Sequence, residues 1–220
     1  LAGRIARQLE LDSAELYETL SSPSTPQQYG FTPLTFYAMF VPNTYQVYWT
    51  VTPEQLLERL HREYDAFWNG RRMSQAMAAN LTPVQVYTLA SIVQEEVFHA
   101  EELPIVAGVY INRLRIDMPL QACPTAKFAA GDMTITRVLT RHTRIESPYN
   151  TYRQPGLPPG PIRIASIQAI DAVLGYQRHD YLFFCARADF SGHHHFSRTA
   201  LQHAACAREY QRVLNRRGIR

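Results

Sequence analysis

The sequence predicts an α+β fold. Three observations carry this: several runs of three- and four-residue apolar periodicity, two short β-like runs, and no regular alternation of strand and helix signals. Of 220 residues, 46% are apolar and 19% charged, which excludes a disordered chain and leaves a protein that buries a real core.

The elements follow in order. Ile5, Leu9 and Leu11 give the opening segment an apolar side, and Asp12 caps a second short helix through Leu16 and Leu20. SSPSTPQQYG, residues 21–30, is turn-rich and marks the boundary between a small N-terminal portion, 1–30, and a main domain, 31–220. Thr32-Pro33 reads as a cap with its first turn. FVPNTYQVYW, residues 40–49, is aromatic and β-branched, and reads as strand or extended chain. Thr52-Pro53-Glu54-Gln55 starts a helix with a capping-box glutamine, and Leu56, Leu57, Leu60, Tyr64 and Phe67 form its core stripe. Thr82-Pro83 opens another helix in the same way, carrying Val86, Leu89, Ala90, Val93 and Val97. Beyond Pro104, Val106, Val109, Tyr110 and Leu114 continue the helical step. Residues 118–165 hold many Pro, Gly, Thr and Asn, and read as a long ordered loop of the kind that carries function. YLFFC, 181–185, reads as a buried strand, and 200–215 as a closing helix.

Charge and cysteine content narrow the function classes. Lys and Arg number 22 against 19 Asp and Glu, a net +3, with no run of five basic residues, so nucleic acid is not indicated. Cys123, Cys185 and Cys206 fit no CxxC metal pattern and cannot all pair with one another. No stretch approaches the roughly 18 apolar residues of a membrane span, and no signal peptide opens the chain. The first residues read as the middle of a structured region, so any membrane anchor is expected upstream. No P-loop, GxGxxG or GxSxG motif points to a cofactor or a serine nucleophile.

The chemistry-bearing candidates are few. Glu96 lies three residues after Val93 and four after Ile92, so it shares or borders their apolar face. That spacing fits a solvated helix end as well as an acid facing the interior, where desolvation raises the pKa towards that of a general acid. Gln94 and Glu95 point elsewhere and need only solvation. In His193-His194-His195 neighbours on a strand point to opposite sides, so the three cannot face one ion; we expect no metal, and a polar loop with one functional histidine. His203 fits a core histidine equally well. Cys123 has no assignable base and follows a Leu-Gln turn rather than a helix start, which argues against a thiol nucleophile. GLPPGPI, 156–162, reads as a stiff wall whose glycines allow close backbone approach. The aromatic, amide and hydroxyl groups of Tyr149-Asn150-Thr151-Tyr152 suit a sugar. A rigid structural loop accounts for the same residues.

Five segments in order, ASIVQEE (90–96), VAGVYINRL (106–114), MPLQACPT (118–125), SPYNTY (147–152) and GLPPGPI (156–162), resemble the YceG-like endolytic murein transglycosylases. The resemblance runs from about residue 30 to the end, and the N-terminal helices resemble that family's LysM-like portion, here truncated. It implies an α+β catalytic domain, a lyase that cuts peptidoglycan between N-acetylmuramic acid and N-acetylglucosamine with one glutamate as general acid and then base, and a 1,6-anhydro-muramyl product. It also implies no cofactor, glycan strands and cell-wall synthases as partners, and a single N-terminal anchor in the bacterial plasma membrane with the domain on the periplasmic side. The family's catalytic glutamate falls on Glu96, while the first acid of its E-x-E pair is Gln94 here. Glu102, Asn112, Gln121, Thr125, Tyr149, Asn150, Tyr152 and His194 match motif positions and are expected to line the substrate cleft. Cys123 stands where the family usually has Asp, and Ala204 where it has Asn. The alternative is a non-catalytic peptidoglycan-binding or scaffold protein; a water-using hydrolase would need a second acid from Glu95, Glu102 or Asp117. The loop 147–162 is expected to wall the groove beside Glu96.

Overall fold

A computed structural model describes residues 1–218, so the last two positions of the expected 31–220 range lie outside the described residues. The fold is α+β: a helical body with one antiparallel pair of strands. Helices α1 (Ala2–Ala6), α2 (Ser13–Ser21) and α3 (Ser24–Gln28) open the chain, with the Asp12 side chain accepting from the Ala14 N–H as the cap of α2. Ala2 and Leu16 join the same apolar core as the rest of the molecule. Thr32 and Thr35 bond each other and lead into a 3₁₀ turn, Phe36–Met39. The run 40–49, read as strand or extended chain, is irregular extended chain. Phe40, Tyr45 and Val47 pack onto the helical core while Tyr48 and Trp49 are exposed, and among the described residues no neighbouring strand supplies the ladder that a β-strand requires.

Helix α4 (Pro53–Phe67) has the expected capping box between Thr52 and Gln55. Helix α5 (Gly70–Ala78), which the apolar pattern did not reveal, is tied through Arg72 to Asp171 at 2.9 Å. Helix α6 (Pro83–Glu96) starts at the Thr82–Gln85 box and is buried from Val86 through Val93. Such all-round burial is the mark of a central helix. It packs against α7 (Leu103–Arg115) and α10 (Ile167–Leu174), the latter capped by the Ser166 hydroxyl. Among the described residues no single helix is long and apolar enough to cross a membrane.

The segment 118–165 is less loop-like than expected, since it holds α8 (Cys123–Ala129) and the short α9 (Thr140–Thr143). Strand β1 (Phe183–Ala186) is half-buried, not buried, because one side faces an open cleft. Strand β2 (His194–Ser197) replaces the expected polar loop and pairs with β1, His194 lying opposite Ala186. Helix α11 (Ala200–Arg216) packs across both strands and carries the chain to its described end.

GLPPGPI is a brace. Gly156 takes φ +78°, and the Gly160 backbone lies so close to the Leu34 carbonyl that an added Cβ would stand 2.0 Å from its oxygen. The Ile162 N–H then donates to the Ser91 hydroxyl of α6. Gly160→Ala should therefore destabilise the protein by about 1–3 kcal/mol, since neither backbone can yield cheaply. Urea unfolding of the two proteins checks this; an unchanged midpoint would count against the brace.

Candidate active site

The C-terminal turn of α6 presents three polar residues in three directions. Gln94 Oε1 accepts the Ser166 N–H at 2.7 Å, and Glu95 pairs with Arg163, so both have structural partners rather than water alone. Glu96, the last residue of the helix, reaches a cleft of about 380 Å³. Its Oε1 accepts from the Tyr110 hydroxyl of α7 at 2.9 Å and from the Cys123 N–H at the start of α8 at 3.1 Å.

Desolvation is the largest influence on Glu96 and raises its pKa from 4.5 to about 7. The Tyr110 and Cys123 hydrogen bonds oppose this by favouring the ionised form, as do the charges of Lys127 and Arg113. Its place at the negative end of α6 also disfavours ionisation. Arg113 is itself buried, spending its guanidinium on the carbonyls of Leu182, Pro119 and Leu120. The carboxyl is thus a proton donor near neutral pH, with Oε2 free of protein donors among the described residues.

Of the expected site residues, Gln121, Tyr152 and His194 line the cleft with Glu96. Gln121 does so from a left-handed backbone conformation, φ 49°, with its N–H on the Thr151 carbonyl. Glu102 lies directly behind His194, buried and bonded to it at 2.7 Å. Four others are held elsewhere. Thr125 is fully buried, with its hydroxyl on Ala122 and Thr151. Asn150 is fully buried too; its amide donates to the carbonyls of His142, Thr143 and Ile145 and its oxygen accepts from the Tyr152 N–H. Asn112 donates to the carbonyls of His179 and Tyr181, and Tyr149 packs on Phe128. Thr125, Asn150 and the Asn112 amide N–H groups are thus spent on organising the backbone around the cleft.

The expected wall is likewise only partly present. Tyr152 reaches the cleft, while Gly156, Leu157, Pro158 and Pro159 border a separate hollow with Asn80 and Gln85. Gln85 and Glu96 are eleven residues apart on α6, or about 16 Å along the axis. The prolines therefore brace the far end of the helix.

Sequence reading missed Tyr110 and Arg113, whose three-residue spacing on α7 was the available signal, and Phe184 and Tyr210, which tertiary packing brings to the cleft; His203, which fitted a core histidine equally well, also borders it. The His203 Nδ1 is buried without a hydrogen-bond partner among the described residues, and burial with the nearby Arg113 charge lowers its pKa. Cys123 is in fact the first residue of α8, contrary to the expected turn. Burial and the adjacent Glu96 nevertheless push its thiol up to about 11, which disfavours a thiolate. His99, Glu101 and His193 form a separate group with ligand-type atoms within 4.8 Å of one another. The two imidazoles stack at 3.8 Å and 9°, so their in-plane lone pairs run parallel and do not converge on one ion.

Two outcomes follow from this geometry. Asn150→Ala leaves three carbonyls without their donor and should cost roughly 1–3 kcal/mol in stability; thermal unfolding measures it. Glu96 holds a proton in the folded state between its unfolded pKa of 4.5 and about 7, so stability is fullest below that window and falls as pH rises through it. Glu96→Gln should remove that fall, gaining on the order of 3 kcal/mol over the wild type above the window. Parallel denaturation curves at either end of the window test the sign.

The chain is similar to known proteins of one family. A model of the YceG-like family matches residues 1–209. An endolytic murein transglycosylase of Bacillus subtilis is 38% identical over 126 residues, covering 57% of this chain and 34% of that protein. One of Streptococcus pneumoniae is 33% identical over 149 residues, covering 66% of this chain and 27% of its own length. The chain thus spans about a third or less of these relatives. A crystal structure of a YceG-like protein from Listeria monocytogenes superposes with a TM-score of 0.77 at 27% identity, over 93% of this chain and 71% of that one. With the family match running through nearly all the described residues and the fold shared, the chain belongs to the YceG-like family.

Proposed function

We propose that the chain is the catalytic part of an endolytic peptidoglycan lytic transglycosylase, with Glu96 as its acid. The observation that carries this is the composition of the cleft: among the described residues lining it, Glu96 is the one carboxylate. A glycosidase that uses water needs two, flanking the scissile bond. The sequence offered Glu95, Glu102 and Asp117 as partners, but Glu95 pairs with Arg163, Glu102 is sealed behind His194, and Asp117 is exposed past the end of α7. A transglycosylase needs no second acid on the other face, because the C6 hydroxyl of the N-acetylmuramic acid residue is the nucleophile.

In this reading Glu96 protonates the leaving O4 of N-acetylglucosamine as the β-1,4 bond breaks. The C6 oxygen closes on the anomeric carbon and gives a 1,6-anhydro end. The carboxylate formed faces the developing oxocarbenium charge in a site of low polarity, where it stabilises that charge strongly. Tyr152, Phe184 and Tyr210 offer aromatic surface to sugar rings, and Gln121 an amide to their hydroxyls. Peptidoglycan lies outside the plasma membrane, so the reading carries an extracytoplasmic site of action.

The scaffold alternative rests on Cys123 and Ala204. Cys123 meets Glu96 through its backbone N–H, a contact that survives any side chain except proline at that position. Its replacement of Asp thus leaves the acid supported. Glu96→Gln keeps the shape and removes the proton, so release of anhydro-muropeptides from purified sacculi should drop a hundredfold or more. Mass spectrometry of the products decides between the readings: water added to the cut end means hydrolysis, and no cut at all by the wild type means a binding module.

A further inference from the structure

We propose that His194, oriented by the buried Glu102 carboxylate, is a second acid–base group of the cleft and takes the proton from the attacking C6 hydroxyl. This rests on the transglycosylase reading and divides its two proton transfers between two residues.

Glu102 closes the 3₁₀ turn Ala100–Glu102 and is 5% exposed. Its Oε2 lies 2.7 Å from His194 Nδ1, and its Oε1 accepts the His194 N–H at 2.9 Å and approaches His193 Nδ1 at 3.3 Å. Burial alone would raise its pKa. The hydrogen bonds from the His194 N–H, the His194 imidazole and His193 outweigh that and hold it below the ordinary value, so the carboxyl is ionised. An ionised carboxylate only accepts, which puts a hydrogen on Nδ1 and leaves Nε2 as the nitrogen available for exchange. Nε2 has no hydrogen-bond partner among the described residues and is not a sealed atom.

The ring is fixed as well as polarised. Strand alternation turns His194 inward and His195 outward, and the Phe184 ring meets the imidazole edge-on at 5.3 Å and 89°. His194 borders the same cleft as Glu96. The ionisable groups around it come from every packed element. Its own strand is preceded by His193, and Arg187 beyond β1 holds its carbonyl at 3.3 Å. Across the cleft stand Glu96 on α6, Tyr110 and Arg113 on α7, and His203 and Tyr210 on α11. Arg113 is spent on carbonyls, and the Tyr110 hydroxyl, its pKa raised by burial, is spent on Glu96. Of the two histidines that line the cleft, His194 alone has a carboxylate behind it, and its Nε2 has no partner among the described residues; His193 shares that carboxylate but does not line the cleft.

The step balances without a co-reactant. The C1–O4 bond breaks and O4 takes the Glu96 proton; the O6–C1 bond forms and the O6 proton goes to His194 Nε2. Once it has given up its proton, Glu96 stays ionised opposite the positive anomeric centre, and the imidazolium returns a proton to it through solvent after product release.

The test measures kcat and KM against pH for anhydro-product release from purified glycan strands. His194→Gln should lower kcat by about a hundredfold and abolish the acid limb of its pH profile, while KM moves little and the Glu96-dependent alkaline limb persists. Added imidazole should restore turnover to His194→Ala. Glu102→Gln, which leaves the ring in place but offers Nδ1 an amide, should lower kcat about tenfold or more. A kcat within about threefold of wild type in His194→Gln, or a rise in KM alone, overturns the proposal. So does failure of imidazole to rescue a folded His194→Ala, or an unaltered profile in Glu102→Gln. Glu96→Gln in the same assay separates the two readings: full activity there defeats Glu96 as the acid of the proposed function, whereas a dead Glu96→Gln beside an active His194→Gln defeats only this inference.

Discussion

Everything about the cleft depends on one constraint: α6 is buried on all sides over eight consecutive residues, Val86 to Val93. A helix so enclosed cannot roll or slide without exposing apolar surface worth roughly 1.5–3 kcal/mol per large side chain. Its polar atoms are satisfied in place, Tyr87 donating to the Phe40 carbonyl and accepting the Ala165 N–H, and Ser91 accepting from Ile162. The end of the helix is therefore fixed, and with it the direction of Gln94, Glu95 and Glu96. Gln94 and Glu95 meet Ser166 and Arg163 in the segment that leads into α10, and Glu96 meets α7 and α8, which is why one turn of helix organises three surrounding elements.

That placement sets the electrostatics. Glu96 is desolvated and sits at the negative end of a helix, and its two hydrogen bonds and nearby cations only partly restore the charged form. Glu102, six residues on, has the opposite balance: burial is outweighed by hydrogen bonds from two histidines. Two carboxyls pushed in opposite directions by their surroundings divide into a proton donor and a fixed anion. Cys123 in place of an acid fits this balance, since a second carboxylate beside Glu96 would raise its pKa further.

Much of the helical frame was legible because its signals are local. The Thr52–Gln55 and Thr82–Gln85 capping boxes lie within four residues, and the stripes behind them repeat over several turns. Helices α5, α8 and α9 were not, since each is short, and short helices are held by tertiary contacts more than by their own pattern. The extended run 40–49 has strand composition but no partner strand, and pairing is not written in one segment. The site divides along the same line. Glu96 could be singled out because an acid beside an apolar stripe is a local contradiction; spacing alone fitted a solvated helix end as well, and the ASIVQEE motif supplied the rest. Asn150 and Thr125 were misassigned because their partners, at 142–145 and at 151, decide whether a polar group faces a cleft or closes a turn.

The far wall of the cleft raises a problem of stability that the Glu102–His194 pair answers. Two antiparallel strands of four residues each are marginal by themselves. Here α11 covers the hairpin on one side, and on the other Glu102 bonds both the backbone and the imidazole of His194, at the point where β2 begins. Arg113 adds a second tie from α7, donating to the Leu182 carbonyl just ahead of β1 at 2.6 Å. The wall is thus anchored to α7 and its leading turn at two points. Because α7 also supplies Tyr110 to the Glu96 carboxyl, the acid on one side of the cleft and the histidine on the other are registered against the same helix. A hairpin free to drift would change the distance between them with every fluctuation. Pinned by Glu102 and Arg113, it holds them at a separation fixed by the packing of α6 on α7.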